Sequence, residues 1–532
     1  MASGIDAEWW RGATLYQIYP LSFADSNGDG WGDLPGITAR LDYVAGLGVD
    51  AIWLSPFYAS NWVDFGYDTI DHCAVDPRCG TLADFDALLE RAHALGLRVI
   101  VDQVYTYTSS RHPWFLESRA SPEGPRGDWY EWGDARPDGS PPTNRISIFG
   151  GPAWAWGLAR RQYYMTHFLP QMPHLRVQNP AVQAALLDIG RFWLERGVDG
   201  FRMDVINLPV VDPQRRDNPP SGVQKPRLPI EAQQGLYDQS RPESIEFVRR
   251  IRALADERPG RFLMGEIGGW DRMRTTQAYT AGDRLLHSAY FVLGEAGGPL
   301  TPARLREELE AWSDVRQGWP TWSFSNHDLV RGPSRVGAGD DPRLARMLVA
   351  LLVAARGTAL LYQGDELGLP DGQVPFDRLR DPATLRFHPH FLQRDGARTP
   401  MPWRAEAFAA GFSSAEPWLP LGRGHAALAV DRQELDPHST LKSVRQLLRL
   451  RREHRALRHG ELSIVEAGEQ RLALERTLQT QRLRCIFNVS AGALSLAPTE
   501  LQGARILAAS GLSQGTAGDA LDAWGFCIAS LS

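Results

Sequence analysis

Gly197-Val198-Asp199-Gly200-Phe201-Arg202-Met203-Asp204-Val205 reads as a helix stop, a short buried strand and a carboxylate at the strand's C-terminal tip. Gly197 suits the left-handed position that closes a helix. Val198, Phe201 and Met203 are strand-like apolar residues. Arg202 and Asp204 share a face because side chains alternate along a strand. An acid and a permanent cation therefore stand side by side at a strand end. The arginine favours the ionised carboxylate, the form a nucleophile needs. A structural Arg–Asp pair at a sheet edge would satisfy the same segment, so the choice falls to the rest of the chain.

Working outward, strands and helices alternate on both sides of this stretch. Thr14 to Pro20 is a first strand, Val49 to Pro56 a second and Leu97 to Asp102 a third. A helix runs from Pro35 to Gly48, and Thr81 with Asp84 forms a capping-box-like start to the next. Asn179 followed by Pro180 opens the helix that Gly197 stops. Arg261 to Ile267, Ser288 to Leu293, Thr321 to Asp328 and Thr358 to Glu366 supply four more strands, with an apolar helix from Arg343 to Arg356 before the last. Eight strands with intervening helices predict a closed parallel (β/α)8 TIM barrel.

The stretch from Gln103 to Arg176 is rich in Pro, Gly and Trp and too long for an idle loop. From about Gly460 the chain alternates apolar and polar residues without a helical period. The expected organisation is a catalytic α/β barrel from 1–102 and 177–458, an inserted subdomain at 103–176, and a C-terminal antiparallel β domain at 459–532. The Leu441–Arg458 helix would pack that last domain on the barrel.

Bulk properties exclude several classes. A formal charge of −6 over 532 residues, with no long Lys/Arg run, argues against a nucleic-acid partner. No apolar stretch approaches the roughly 18 residues of a membrane span. The N-terminus carries no charged region followed by an apolar run, so a cytoplasmic protein is expected, as a monomer or homodimer. Cys73, Cys79, Cys485 and Cys527 show no metal-ligand spacing; reduced thiols or a Cys73–Cys79 bridge both fit. The 18 Trp and 14 Tyr often sit in loops beside Gly, Pro and Asp, where they either pack the loops or make flat walls for sugar rings.

Strand C-termini of a barrel open on one face. The polar tips there are Asp102, Arg202, Asp204, Glu266, His327 and Asp328. Packing alone explains such a set poorly, because every buried charge must be compensated. Crowded carboxylates raise one another's pKa, which gives an acid and an ionised nucleophile in one pocket, as retaining glycoside hydrolysis requires. Asp204 is assigned as nucleophile because of Arg202. Glu266, flanked by Met264 and Ile267, is assigned as general acid/base. Asp328 would hold substrate hydroxyls and His327 would donate to them. Separately, Asp25, Asn27, Asp29 and Asp33 space oxygen ligands along a Gly-rich loop, with Trp31 offering a carbonyl. One structural Ca²⁺ or Mg²⁺ is expected there, the alternative being a polar turn held by Asx hydrogen bonds. No organic cofactor is expected.

The motifs Asp64-Phe65-Gly66-Tyr67-Asp68, Gly200-Phe201-Arg202-Met203-Asp204, Gly265-Glu266-Ile267, Asn326-His327-Asp328 and Arg394-Asp395-Gly396-Ala397-Arg398-Thr399-Pro400-Met401-Pro402-Trp403 resemble glycoside hydrolase family 13. This is the α-amylase superfamily, and the likeness is to its α-glucosidase and oligo-1,6-glucosidase branch. The likeness covers nearly the whole chain. It implies that Asp204, Glu266 and Asp328 are the catalytic acids and that Asp64 and Arg398 grip the far hydroxyl of a terminal glucose. It also implies that Tyr67 stacks on the sugar ring, that Phe149 and Phe168 are aromatic pocket positions, and that the Asp25–Asp33 loop binds calcium or magnesium. A pocket closed by Asp64 and Arg398 admits only a chain end. The implied activity is exo-acting release of glucose from a short oligosaccharide or glucoside.

Three rivals share this outline: a transglucosylase, a sucrose-isomerase-type enzyme using the same intermediate, and a catalytically weak scaffold relative. The chain departs from the family pattern at two places. Tyr107 stands where the third-strand motif usually ends in histidine. Met172-Pro173-His174-Leu175-Arg176 stands for Gln-Pro-Asp-Leu-Asn. These changes predict either an altered sugar preference or weakened hydrolysis, or else compensated drift. Val205, directly after the nucleophile, resembles the α-1,6-acting members.

Overall fold

The computed structural model describes residues 7–269, 271–282, 285–295, 298–312, 318–337, 341–390, 394–497, 500–513 and 519–531. Eight parallel strands close into a barrel: β1 Thr14–Ile18, β2 Ala51–Leu54, β3 Arg98–Gln103, β4 Gly200–Met203, β5 Phe262–Glu266, β6 Ser288–Val292, β7 Pro320–Ser323 and β8 Thr358–Tyr362. Each pairs with the next in sequence, and β8 returns to β1 through Thr14 opposite Ala359. The strands are apolar and almost wholly buried because both faces are covered, as parallel sheets require. Inside the barrel Leu15, Trp53, Ile100, Phe262, Met264 and Leu360 pack together. The larger apolar cluster lies outside the strands, beneath the helices.

Local signals read from the sequence hold. Gly197, at φ 110°, ends the Pro180–Arg196 helix in the left-handed region, and Asn179 caps its start. Thr81 and Asp84 form a reciprocal capping box. Such caps satisfy backbone donors that the first turn leaves unpaired.

The insert after β3 is a small antiparallel sheet of Trp132–Gly133, Trp154–Gly157 and Gln162–Met165. Its two ends are joined at the base by a bridge between Tyr107 and His174. The C-terminal sheet is six-stranded and antiparallel, from Glu461–Ala467 to Ala520–Ser530. The expected single helix before it is two, Thr440–Glu453 and Arg455–His459. The chain turns at His454, an extended residue whose N–H bonds to Leu450 O.

Arginines fasten this sheet to the barrel. Buried Arg476 donates to the carbonyls of Ala354, Ala355 and Leu457. Buried Arg451 donates to those of Val353 and Gly357. Both meet the carbonyl end of the Pro342–Ala354 helix and the turn after it, where a cation also suits the helix dipole. All four cysteines are free thiols, so the Cys73–Cys79 bridge does not form. Among the described residues no helix is long and apolar enough to cross a membrane.

Candidate active site

The tips of β3, β4 and β5 meet at one guanidinium. Arg202 Nη1 donates to Asp102 Oδ1 at 2.8 Å and to Asp204 Oδ1 at 2.7 Å, while Nη2 bonds to Glu266 Oε2. Arg202 and Asp102 are buried, and Glu266 keeps 23% of its side chain exposed. One permanent cation thus faces three carboxylates. Burial pushes Asp204 well above the usual carboxylate range, with Glu266 and Asp102 adding to the rise and Arg202 opposing it. Burial also raises Asp102, to about 6, again against Arg202. The sequence pattern gave Arg202 the deciding influence on Asp204. In the fold, desolvation outweighs it, because the whole cluster is buried and Arg202 is shared.

Val205 adopts φ 34°, a conformation β-branched residues rarely take. Such strain costs on the order of 1–3 kcal/mol and clusters at functional sites. It turns the chain sharply after the nucleophile candidate, and Ile206 N–H then bonds to Glu266 O at 3.1 Å, tying β4 to β5.

A second charged cluster lies beside the first. Asp328 Oδ1 accepts from Arg394 at 3.0 Å and from Arg398 at 2.8 Å. Burial works against its ionised form, but His327, Arg394 and Arg398 together hold its pKa below the usual range. Asp64 is bonded to Arg394 at 2.7 Å. The family likeness gave the partnership with Asp64 to Arg398; in the fold Arg394 holds Asp64 and joins it to Asp328, while Arg398 donates to Asp328 and to His327 O. Buried Asp381 holds Arg394 from behind at 2.5 Å. Arg394 also lies over the Phe149 ring, 4.9 Å from its centroid. Neither Arg394 nor Asp381 is singled out by the sequence pattern, although Arg394 opens the motif that supplies Arg398.

His327 is buried, and burial lowers its pKa to about 3, so its imidazole is neutral near pH 7. Gln17 Nε2 lies 2.8 Å from Nδ1 and Tyr67 Oη lies 2.7 Å from Nε2. With Gln17 donating to Nδ1, the ring proton sits on Nε2 and points to Tyr67. Tyr67 in turn donates to Asp102 at 3.1 Å. Its ring lies parallel to that of His327, 5.4 Å between centroids. Phe168 meets Phe149 edge-on at 5.4 Å and Tyr107 at 5.2 Å, so the two expected aromatic pocket positions are neighbours and Tyr107 lies beside them.

The departures from the family pattern separate in space. Tyr107 Oη donates to Asp204 Oδ2 at 2.7 Å. Met172 packs with Tyr107 and Tyr67. His174 is buried, with its ring nitrogens 2.7 Å from Leu175 O and 3.2 Å from Leu208 O. Arg176 is exposed. Only Tyr107 acts directly on a candidate catalytic atom. A hydrogen bond to a charged group is worth about 1.5–3 kcal/mol. Tyr107→Phe is therefore expected to lower kcat/KM roughly 10- to 100-fold. The phenol favours ionised Asp204, so its loss moves the acid limb of the pH–rate profile to higher pH. An unchanged limb would show that the bond does not bear on ionisation.

In the Asp25–Asp33 loop each acceptor serves an amide two residues on: Asp25 that of Asn27 at 3.0 Å, Asn27 that of Asp29 at 2.9 Å and Asp29 that of Trp31 at 2.8 Å. Asp33 caps the Leu34–Leu47 helix through Gly36 N–H. These are the Asx bonds of a polar turn. Among the described residues no three His, Cys, Asp or Glu groups converge as a metal site. The donor set is nonetheless all oxygen, which fits a hard cation.

A cavity of about 710 Å³ opens at the other end of the barrel, beside Trp10, His287 and Trp319, and none of these acids lines it. A second, of about 520 Å³, begins at Asp328.

Comparison with known proteins agrees with this layout. Residues 17–460 match the family model for the alpha amylase catalytic domain. The chain is 47% identical over 496 residues to a probable alpha-glucosidase of Rhizobium meliloti (strain 1021), covering 91% of this chain and 90% of that one. It is 34% identical over 519 residues to an oligo-1,6-glucosidase of Halalkalibacterium halodurans, covering 91% of each. Among solved structures it is similar to the alpha-glucosyl transfer enzyme XgtA, with a TM-score of 0.93 and 46% identity over 98% of this chain and 99% of that one. A barrel with its acids at the strand tips, matched over nearly its whole length, places the chain in glycoside hydrolase family 13, the α-amylase superfamily, as a glycoside hydrolase.

Proposed function

We propose that the protein is a retaining, exo-acting α-glucosidase. It releases glucose from the non-reducing end of short α-1,4- or α-1,6-glucosides through a covalent glucosyl-enzyme. The observation that carries this reading is the shared contact of Asp204 and Glu266 with Arg202. Two carboxylates on one guanidinium are close neighbours, as retaining chemistry requires at about 5–5.5 Å.

Asp204 attacks the anomeric carbon as Glu266 protonates the departing oxygen. Glu266 then takes a proton from water, which displaces the Asp204 carboxylate. Arg202 stabilises the carboxylates through both steps, and Tyr107 steadies the oxygen of Asp204 that Arg202 does not hold. Asp64, Arg394, Arg398 and Asp328 close the far end of the pocket, so that one terminal sugar fits. The fixed guanidinium dipoles need no reorganisation during the reaction.

A panel of maltose, isomaltose, sucrose, trehalose and kojibiose tests the proposal. Free glucose with initial retention of the α-configuration is expected from at least one of them. Initial β-glucose would overturn the retaining mechanism. The likeness to an alpha-glucosyl transfer enzyme favours a second reading, in which a hydroxyl compound replaces water at the deglucosylation step. New disaccharides or glucosides at high substrate concentration would establish it.

For the Asp25–Asp33 loop we propose one structural Ca²⁺ or Mg²⁺, held by the side chains of Asp25, Asn27, Asp29 and Asp33 with the Trp31 carbonyl. At a hundredfold excess over Kd a bound ion adds about 2.7 kcal/mol of stability. Calcium should raise the unfolding temperature and a chelator should reverse it. Identical melting curves would leave only the polar turn.

A further inference from the structure

The cavity of about 710 Å³ at the far end of the barrel is walled by strand starts. Gly260 and Arg261 precede β5, His287 precedes β6 and Trp319 precedes β7. It therefore lies opposite the mouth that holds Asp204, Glu266 and Asp328, and a ligand there leaves the sugar pocket open. The chemistry proposed at the mouth makes no use of it.

Among the described residues its wall carries four guanidinium groups, Arg11, Arg252, Arg258 and Arg261, against two carboxylates, Glu8 and Asp256. Arg11 pairs with Glu8 at 3.1 Å, Arg252 with Asp256 at 2.8 Å and Arg261 with Asp199 at 3.0 Å. Arg258 is exposed and has no ion-pair partner among the described residues. Arg11 lies over two rings, 4.5 Å from the Trp10 centroid and 5.3 Å from that of Trp319, contacts that hold a guanidinium without neutralising it. His287 is half-buried, and its Nδ1 accepts from Leu263 N–H at 3.0 Å. Burial, with Arg252 and Arg11 adding to it, lowers the pKa of His287 to about 3. The neutral ring therefore keeps its proton on Nε2, as one more donor on a positive wall.

The ligand that complements such a wall is an anion rich in acceptor oxygens. A planar guanidinium meets phosphate through two parallel hydrogen bonds, a geometry that suits arginine better than any other side chain. A bare phosphate would leave most of the volume empty, whereas about 710 Å³ is the size of a site for a small organic molecule. We propose that this cavity binds an organic phosphate monoester, a sugar phosphate or a nucleoside monophosphate, through Arg11, Arg252 and Arg258. The site is separate from the catalytic one, so the proposal stands whether or not the enzyme is a retaining α-glucosidase.

The test is titration calorimetry on the full-length protein at low ionic strength with adenosine monophosphate, glucose 6-phosphate and inorganic phosphate. Deoxynojirimycin is present throughout, so that a sugar phosphate entering the catalytic pocket is not counted. One of the two organic phosphates is expected to bind at least roughly tenfold more tightly than inorganic phosphate, and the tighter of the two identifies the source. Arg258→Ala should weaken that binding roughly tenfold, the scale of one lost charge-assisted bond. Asp256→Asn removes a carboxylate from the wall and should tighten it about threefold, a gain that a damaged fold would not give. Both variants should hydrolyse p-nitrophenyl α-glucoside as the parent does, since neither residue lies at the mouth. No heat with either organic phosphate at about 10 mM would overturn the proposal. So would equal affinity for inorganic phosphate, or binding that neither substitution changes.

Discussion

Asp204→Ala is expected to lower kcat on an aryl α-glucoside on the order of 10⁵-fold while the protein stays folded. Loss of a nucleophile that works with a general acid has effects of this size elsewhere, and tenfold in rate is about 1.4 kcal/mol. The fold should tolerate the change because Asp204 belongs to a cluster with surplus negative charge. Arg202 keeps Asp102 at 2.8 Å, and it also keeps Glu266. Removing one of three crowded carboxylates relieves repulsion, so the urea midpoint should hold or rise. Azide should restore some of the rate by entering the vacated space. It attacks from the face Asp204 used, and the product is β-glucosyl azide. An inactive variant that azide cannot rescue, or one that unfolds, would remove Asp204 from the nucleophile's role.

Arg202→Met should have the larger effect on stability. Arg202 is 1% exposed and is bonded to Asp102, Asp204 and Glu266. Removing one partner of a buried ion pair costs about 3–5 kcal/mol, because the remaining charge is left without compensation. Here three charges are left. The pH dependence has a definite sign. Asp102 already titrates at about 6 in the folded state against 3.8 for the free group. The folded protein therefore binds more protons than the unfolded chain between those values, and stability falls as pH rises through them. Without Arg202 the folded values climb further, so the deficit should be largest near neutral pH and shrink on acidification. Urea unfolding of both proteins at about pH 5 and pH 8 measures this. A deficit equal at both pH values would mean that the loss is one of packing rather than charge.

Much of this site is legible in the chain itself. Strand tips alternate in sequence with helices, and barrel geometry sends all tips to one mouth. Asp102, Arg202, Asp204, Glu266 and His327 are found in that way. Side-chain partners are not legible to the same degree. The family likeness names Arg398 as the partner of Asp64, whereas in the fold the partner is Arg394, four residues earlier in the same motif. Asp381 reaches Arg394 only because a loop folds behind it. The chain of contacts from Gln17 through His327 and Tyr67 to Asp102 joins residues from four segments. Its atoms are polar and ordinary in each segment, and only assembly gives them direction.

Tyr107 is visible in the sequence as a departure but not as a partner of Asp204. A phenol reaches farther than an imidazole, and its oxygen lands on the nucleophile candidate at 2.7 Å. His174, which looks equally disruptive, is turned toward backbone carbonyls. The balance at Asp204 also escapes the sequence. Adjacent Arg202 suggests an easily ionised acid, whereas burial of the whole cluster pulls the other way. Desolvation depends on everything packed around a group, and a linear pattern does not record it. The cavity beyond Asp328 draws its lining from several separate loops and helices, none with a motif of its own.

The proposed retaining mechanism depends on a covalent bond between Asp204 and the anomeric carbon. Incubation with 5-fluoro-α-glucosyl fluoride, which slows breakdown of such an intermediate, followed by peptide mass spectrometry reads that bond directly. A fluoroglucosyl adduct on the peptide carrying Asp204, absent in Asp204→Ala, is the predicted result. A label on Glu266 or Asp328, or steady turnover of the reagent with no labelled peptide and β-configured product, would contradict it.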